Sequence, residues 1–372
     1  MIKFISRFFK IRQNWCMFYD VFSRNGNGDS IRPIAIELKK RRPSMKFIFV
    51  AKKGSKTDID MADDVVIEKS LRFKFLSRIV KFIVSPMGFP NRGDKRRGQY
   101  FIQTWHGTPL KKLYLSRDKT NASHKRYAKQ FSNTDIFCIS CDFAREAFKE
   151  ALNLNDNQFI ESGLPRNDIL HASADTSSLR ASIKKSLGIP NDKKVIFYCP
   201  TWRRYDYRAV LPFDLASLKE SLSDEYVILN RSHVGKHAWV DFNDKPVDVF
   251  DNVFAFNGAE WPEATELYLI ADIMISDYSS SIFDFAITGK PQIMYAYDVE
   301  EYTKEFGLYF DYNDFVAFPV AKNTGELIAS IKDIANFNSQ YGKQYSSFID
   351  KFCTFENGNA TKQIVDYIIE KM

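Results

Sequence analysis

The chain of 372 residues is 45% hydrophobic and 27% charged, the composition of a globular protein long enough for two domains of ordinary size. No stretch reaches the ~18 uncharged apolar residues of a transmembrane helix. The charge-threaded N-terminus lacks the small-residue cleavage site of a secretory signal, and five scattered cysteines point to reduced thiols in a cytoplasmic setting rather than a disulfide framework or a structural zinc. The net charge of +7 is unevenly spread: residues 1–130 carry 30 Lys and Arg against 10 Asp and Glu, the remainder 23 against 36. The first part is therefore suited to an anionic partner, with nucleic acid and an anionic membrane as the candidates.

In chain order, IKFISRFFKI at the N-terminus, with Lys3, Arg7, Lys10 and the following Arg12, reads as a basic amphipathic helix. LRFKFLSRIVKFIV (71–84), with Arg72, Lys74, Arg78 and Lys81, reads the same way. Together with DKRRG (94–98) they favour a membrane surface. Between them a helical IRPIAIELKKR precedes the strand-like KFIFVA (46–51) and DVVIE (64–68), the alternation of a parallel sheet with crossover helices. QYFI is an apolar burst of strand length, and QTWHGTPL (103–110) follows it. His106, one of five histidines, thus sits at a strand end beside Gly107. Such a position presents a base to a substrate or holds a packed loop histidine. DIFCIS (135–140) is a further buried strand leading into the helix DFAREAFKEAL, and Cys138 and Cys141 within it read as small buried hydrophobes rather than a redox pair. SGLPRNDIL opens a polar stretch, which places an N-terminal domain at 1–165, a linker at 166–192 and a C-terminal domain at 193–372.

The second half restarts with KVIFYCPTW (194–202) and EYVILNRSH (225–233). DVFDNVFAF, a helix around PEATELYLIAD, and the strand–turn–helix–strand IMISDYSSSIFDFAITGKPQIMYAYD (273–298) follow. Two successive α/β units argue for two Rossmann-type domains, with ligands where the strand C-termini point. In the turn after IMIS, Asp277, Ser279, Ser280 and Ser281 exceed what one helix N-cap requires and suit a phosphate, with Asp284 a turn later. Arg203 and Arg204 follow another strand end and suit a diphosphate. Arg231 and His233 leave a third together, fitted to charge on a departing phosphate. His124 and His237 read as surface residues and His171 as structural.

In order and spacing, QTWHGTPLKKL, GLPRNDIL, YCPTWRR, the RSH strand end and ISDYSSSIFDFAITGKPQIMYAYDVEEY resemble the CDP-glycerol glycerophosphotransferases of teichoic-acid synthesis. The resemblance is strong over residues 95–312 and looser before them. It implies a GT-B-like α/β fold, two Rossmann-type domains with parallel sheets facing a central cleft. The N-terminal domain would bind acceptor and membrane, and the C-terminal domain the CDP-donor. The implied reaction moves glycerol or ribitol phosphate from CDP-glycerol or CDP-ribitol to a hydroxyl, releasing CMP. The acceptor would be an undecaprenyl-diphosphate-linked saccharide or a growing polyol-phosphate chain, at the cytoplasmic side of an anionic cell membrane.

The resemblance makes His106 the general base, a role for which a neutral imidazole with an ordinary pKa of ~6.5 is suited. It makes His233 the second essential histidine, near the donor pyrophosphate, although Val234 stands where the family has proline. It assigns Thr201, Arg203, Arg231, Asp277, Ser279, Ser280 and Asp284 to the donor, and Trp105, Gly107, Thr108 and Lys111 to the acceptor side. No cofactor and no metal ligands are assigned, and metal dependence stays open. A GT-B glycosyltransferase using a nucleotide-sugar is the nearest alternative. A non-catalytic membrane- or nucleic-acid-binding protein is a second, but no RNP-like run is present and nucleic acid is not expected as a partner.

Overall fold

Along Arg12–Phe18, alternate side chains leave a strand on opposite faces. Cys16 and Phe18 join one apolar layer and Met17 another. This strand, β1, sits inside a seven-stranded sheet in the computed structural model, which describes all residues except 1, 21–27, 55–58, 91–94, 172–175, 202, 204–211, 223–224, 233–246, 251–252 and 258–263. Its companions are β2 (Lys46–Ala51), β3 (Asp64–Ile67), β4 (Val80–Ser85), β5 (Tyr100–Gln103), β6 (Ile136–Cys138) and β7 (Phe159–Ile160). All pair in parallel, in the order β3-β2-β1-β4-β5-β6-β7.

Both faces of this sheet are covered, so its strands read as continuous apolar runs. Phe18, Phe47, Phe49 and Phe82 pack with Ile34 and Leu38 of the helix Ile31–Arg41 and with Ile364, Val365 and Ile368 of the helix Ala360–Glu370. Met17, Ile48, Val50 and Ile83 pack with Phe73 and Leu76 on the other face. The strand order reverses between β1 and β4, the kind of switch point beyond whose strand C-termini α/β folds bind ligands.

The expected helix over 71–84 stops at Leu76. Residues 80–84 belong to β4 (Val80–Ser85), every residue of which is buried. Its run of apolar residues serves both sheet faces, and Arg78 and Lys81 are interior rather than solvated. Arg78 Nε donates to Ser6 Oγ (2.9 Å), and Lys81 Nζ to the Met372 carbonyl (2.8 Å).

The second sheet contains β8 (Lys194–Cys199), β9 (Tyr226–Ser232), β10 (Val247–Phe250), β11 (Val253–Asn257), β12 (Ile273–Ser276), β13 (Gln292–Tyr295) and β14 (Val320–Ala321). Their order is β10-β11-β9-β8-β12-β13-β14, parallel except for the edge strand β10. Ile196, Tyr198, Ile228, Ile275 and Tyr295 form its core with Leu218, Leu327 and Ile331 from helices. Here the order reverses between β8 and β12.

The chain groups into two compact units. The first holds Met1–Thr108, Leu113–Asp168 and Thr354–Met372; the second holds Pro109–Lys112 and Ile169–Cys353. These bounds differ from the sequence expectation at both ends of the second domain. The helix Ser177–Ser186, expected as linker, belongs with the second unit. The last 19 residues return to the first, because Glu356 accepts from Leu164 N (3.2 Å) and Asn167 Nδ2 (3.0 Å). Asp168 in turn caps the last helix, accepting from Ala360 N (3.0 Å) and Thr361 N (2.7 Å). The GLPRND motif is thus the dock for the C-terminal segment.

Candidate functional site

In the first unit, Gln103 at the end of β5 turns the chain. Its amide donates to the Met87 carbonyl (2.6 Å), and its oxygen accepts from Trp105 N (2.7 Å). Trp105 then takes a left-handed backbone (φ 53°), a conformation that a bulky side chain adopts only when its surroundings hold it there. The indole is buried among Phe131, Phe137 and Phe148, at ring distances of 5.4, 5.9 and 5.2 Å. His106 stacks on its outer face (4.4 Å) and is exposed. His106 Nδ1 lies 3.4 Å from the Pro86 carbonyl. A carbonyl oxygen only accepts, so this contact favours a proton on Nδ1, and in the neutral imidazole the lone pair is then on Nε2. Gly107 follows with φ 132°, in the region that favours glycine.

Trp105 and Thr108, expected on the acceptor side, anchor the loop. Thr108 is buried and its hydroxyl bonds to that of Ser140 (2.6 Å). The imidazole is what this loop exposes. His124, expected as a surface residue, is half-buried, with its Nδ1 3.1 Å from the Asp118 carbonyl. Burial pushes the Cys138 thiol up to about 12 and that of Cys141 up to about 11, in keeping with small buried hydrophobes.

In the second unit, Thr201 follows β8 and Asp277 follows β12, so the pair bridges the switch point. Asp277 accepts from Thr201 N (2.9 Å), from the Thr201 hydroxyl and from Tyr278 N (2.6 Å). Arg203, expected to meet a diphosphate, is 1% exposed and turned inward. Its Nη1 pairs with Asp277 (2.9 Å), while Nε and Nη2 fork onto Asp298 (2.6 and 3.0 Å). The rings of Tyr278, Tyr297 and Tyr302 surround the guanidinium at 5.1, 5.3 and 4.8 Å. Burial alone would lower its pKa, but Asp277 and Asp298 hold it well above the usual range. Arg203 is thus the counter-charge that holds the two aspartates in the interior.

Ser279, Ser280 and Ser281 are half-buried at the start of the helix Ser281–Ala286. The hydroxyls of Ser279 and Ser281 bond to each other (2.8 Å), and Ser281 Oγ also lies 3.6 Å from Cys199 Sγ. Arg231 of β9 and the buried Asp284 both act electrostatically on Cys199. The structure thereby gathers Thr201, Arg231, Asp277, the serines and Asp284 at the C-terminal ends of β8, β9 and β12. His233 and His237 lie outside the described residues.

Lys111, expected on the acceptor side, belongs to the second unit. Its segment pairs with 307–309 through an antiparallel bridge between Lys111 and Leu308. Tyr309 N donates to the Leu110 carbonyl (3.0 Å), and Lys112 N to that of Gly307 (3.1 Å). The half-buried Lys111 is pushed down to about 8 by burial, opposed by Asp277 and reinforced by Arg203.

Sequence reasoning missed Asp298, Tyr278 and Tyr302. Asp298 carried a usable signal, since it closely follows β13 just as Arg203 closely follows β8.

A family model described as CDP-Glycerol:Poly(glycerophosphate) glycerophosphotransferase matches residues 1–370. The teichoic acid poly(glycerol phosphate) polymerase of Bacillus spizizenii is 33% identical, over 93% of this chain and 90% of its own. The enzyme of the same name from Staphylococcus epidermidis is 30% identical over 94% of this chain, which spans 50% of that relative's length. Among solved structures, the wall teichoic acid polymerase TagF is similar with a TM-score of 0.85 at 29% identity, covering 97% of this chain and 89% of that one. A histidine-to-asparagine variant of it soaked with CDPG gives a TM-score of 0.84 at the same identity, with 97% and 89% covered.

Proposed function

The chain belongs to the CDP-glycerol:poly(glycerophosphate) glycerophosphotransferase family, and we propose that it transfers glycerol phosphate, or ribitol phosphate, from the CDP-alditol to a hydroxyl of a lipid-linked acceptor. The observation that carries the reading is His106, an exposed imidazole whose Nδ1 faces a carbonyl and whose ring rests on a strained, buried tryptophan. Nε2 takes the proton of the acceptor hydroxyl while that oxygen attacks the β-phosphorus. The new P–O bond forms as the bond to the bridging oxygen breaks, and CMP leaves with the electron pair. Positioning and electrostatic stabilisation supply most of the rate, as in other phosphoryl transfers. The CDPG-soaked relative supports the donor class.

Membrane docking has its own support in the first unit. Phe4 and Phe8 are 63% and 75% exposed, and Leu71 is 67% exposed on the helix Leu71–Leu76. Lys3, Arg7, Lys10 and Lys74 interleave with them in sequence. Exposed aromatics among cations are the chemistry of an interface with anionic lipid. Among the described residues no helix is long and apolar enough to cross a membrane.

The test is CMP release with CDP-glycerol and CDP-ribitol in parallel, using a lipid-linked saccharide acceptor. Release with one donor names the alditol. Release of UDP from a sugar nucleotide instead, with both CDP-alditols inert, replaces this reading by the glycosyltransferase one.

A further inference from the structure

If the second unit binds a CDP-alditol, as the preceding reading holds, its diphosphate needs a cation at the β8/β12 switch point. Arg203 cannot serve, because it is buried and its guanidinium is engaged by Asp277, Asp298 and the Thr201 carbonyl. Arg203 answers only one of the two charges of Asp277 and Asp298, so a phosphate beside them needs a further cation. Lys111 meets that need. Two backbone hydrogen bonds, which form its bridge to Leu308, carry it into the second unit. There its ammonium stands 5.8 Å from the centre of the Tyr302 ring and within electrostatic reach of Asp277 and Arg203.

We propose that Lys111 binds the donor's diphosphate together with the groups at the ends of β8, β9 and β12, so that the segment directly after the His106 loop is part of the donor site and not of the acceptor site. A lysine ammonium is a compact point charge with three donors, well suited to non-bridging phosphate oxygens. The price of holding it half-buried beside Arg203 is a pKa of about 8 in the free protein, and a bound dianion reverses that shift. The other groups around it are Asp277, Arg203 and Tyr302, with Asp298, Tyr278 and Tyr312 behind them. Burial pushes both Tyr278 and Tyr312 upward, and Arg203 is held above its usual range. Among these described groups, Lys111 is the one whose charge is lost as the pH rises through about 8.

Calorimetric titration of the full chain with CDP-glycerol and, separately, with CMP decides the matter, on either side of pH 8. The expected wild-type affinity for CDP-glycerol is level below that pH and weakens above it by up to about tenfold per pH unit. Lys111→Gln should weaken CDP-glycerol binding by roughly 10–100-fold and abolish the pH dependence. Lys111→Arg should keep the binding and lose the inflection. A purely structural role would move neither the inflection nor its rescue by arginine. Wild-type affinity and pH dependence in Lys111→Gln would overturn the inference. If Lys111→Gln does not fold, a wild-type affinity without the inflection does the same. Binding of neither ligand by wild type would overturn the donor reading itself, and the inference with it.

Discussion

At the scale of single residues, His106 and Arg203 make opposite predictions from similar sequence positions. His106→Ala should leave the melting temperature unchanged, because the ring is exposed, and should lower CMP release by about 10²–10⁴-fold. A loss of stability with activity intact would assign the histidine to packing. Arg203→Met should do the reverse. It leaves two aspartates in the interior without their counter-charge, a change that costs about 3–5 kcal/mol, seen as a lowered urea midpoint. An Arg203→Met protein of wild-type stability with weakened donor binding would restore the phosphate role. Both residues are visible in the sequence as polar groups just beyond strand ends, and Thr201 and Asp277 likewise follow β8 and β12. What the sequence hid was the partner of Arg203, since Asp298 lies 95 residues away. A cation read without its counter-ions looks available for a ligand.

At the scale of elements, the misread segment is 71–84. A helix of six residues followed by a strand carries the same apolar and basic letters as one long amphipathic helix. A basic amphipathic helix would present Arg78 and Lys81 to a membrane surface, whereas the structure closes both with interior hydrogen bonds. The surviving exposed surface is smaller, built from Phe4, Phe8 and Leu71. Phe4→Asp with Phe8→Asp should abolish co-flotation with phosphatidylglycerol vesicles without changing the melting temperature. Unaltered flotation would remove the patch from the account. The C-terminal helix gives a second prediction. Ending the chain at Cys353 removes Ile364, Val365 and Ile368, each fully buried, at about 1.5–3 kcal/mol apiece. It also strips Glu356 from Leu164 and Asn167. That loss rivals the ~5–15 kcal/mol stability of a whole domain, so the truncated chain should be insoluble or rapidly proteolysed. A soluble, protected fragment would return these residues to the second unit.

At the scale of the whole molecule, two α/β units were legible because several crossovers repeat one local pattern, an apolar run followed by a helix and a turn, although the two sheets differ in strand order at the edge where β10 runs antiparallel. The return of the last 19 residues to the first unit was not legible, because it depends on two buried carboxylate contacts that no local pattern announces. The central claim is that this chain joins an alditol phosphate to an acceptor hydroxyl. Mass spectrometry of the lipid-linked acceptor after incubation with CDP-glycerol or CDP-ribitol tests it most directly. The account predicts a gain of whole alditol-phosphate units, matched one to one by CMP and absent with His106→Ala. CMP without any gain in acceptor mass would make the protein a hydrolase of the donor and contradict the account.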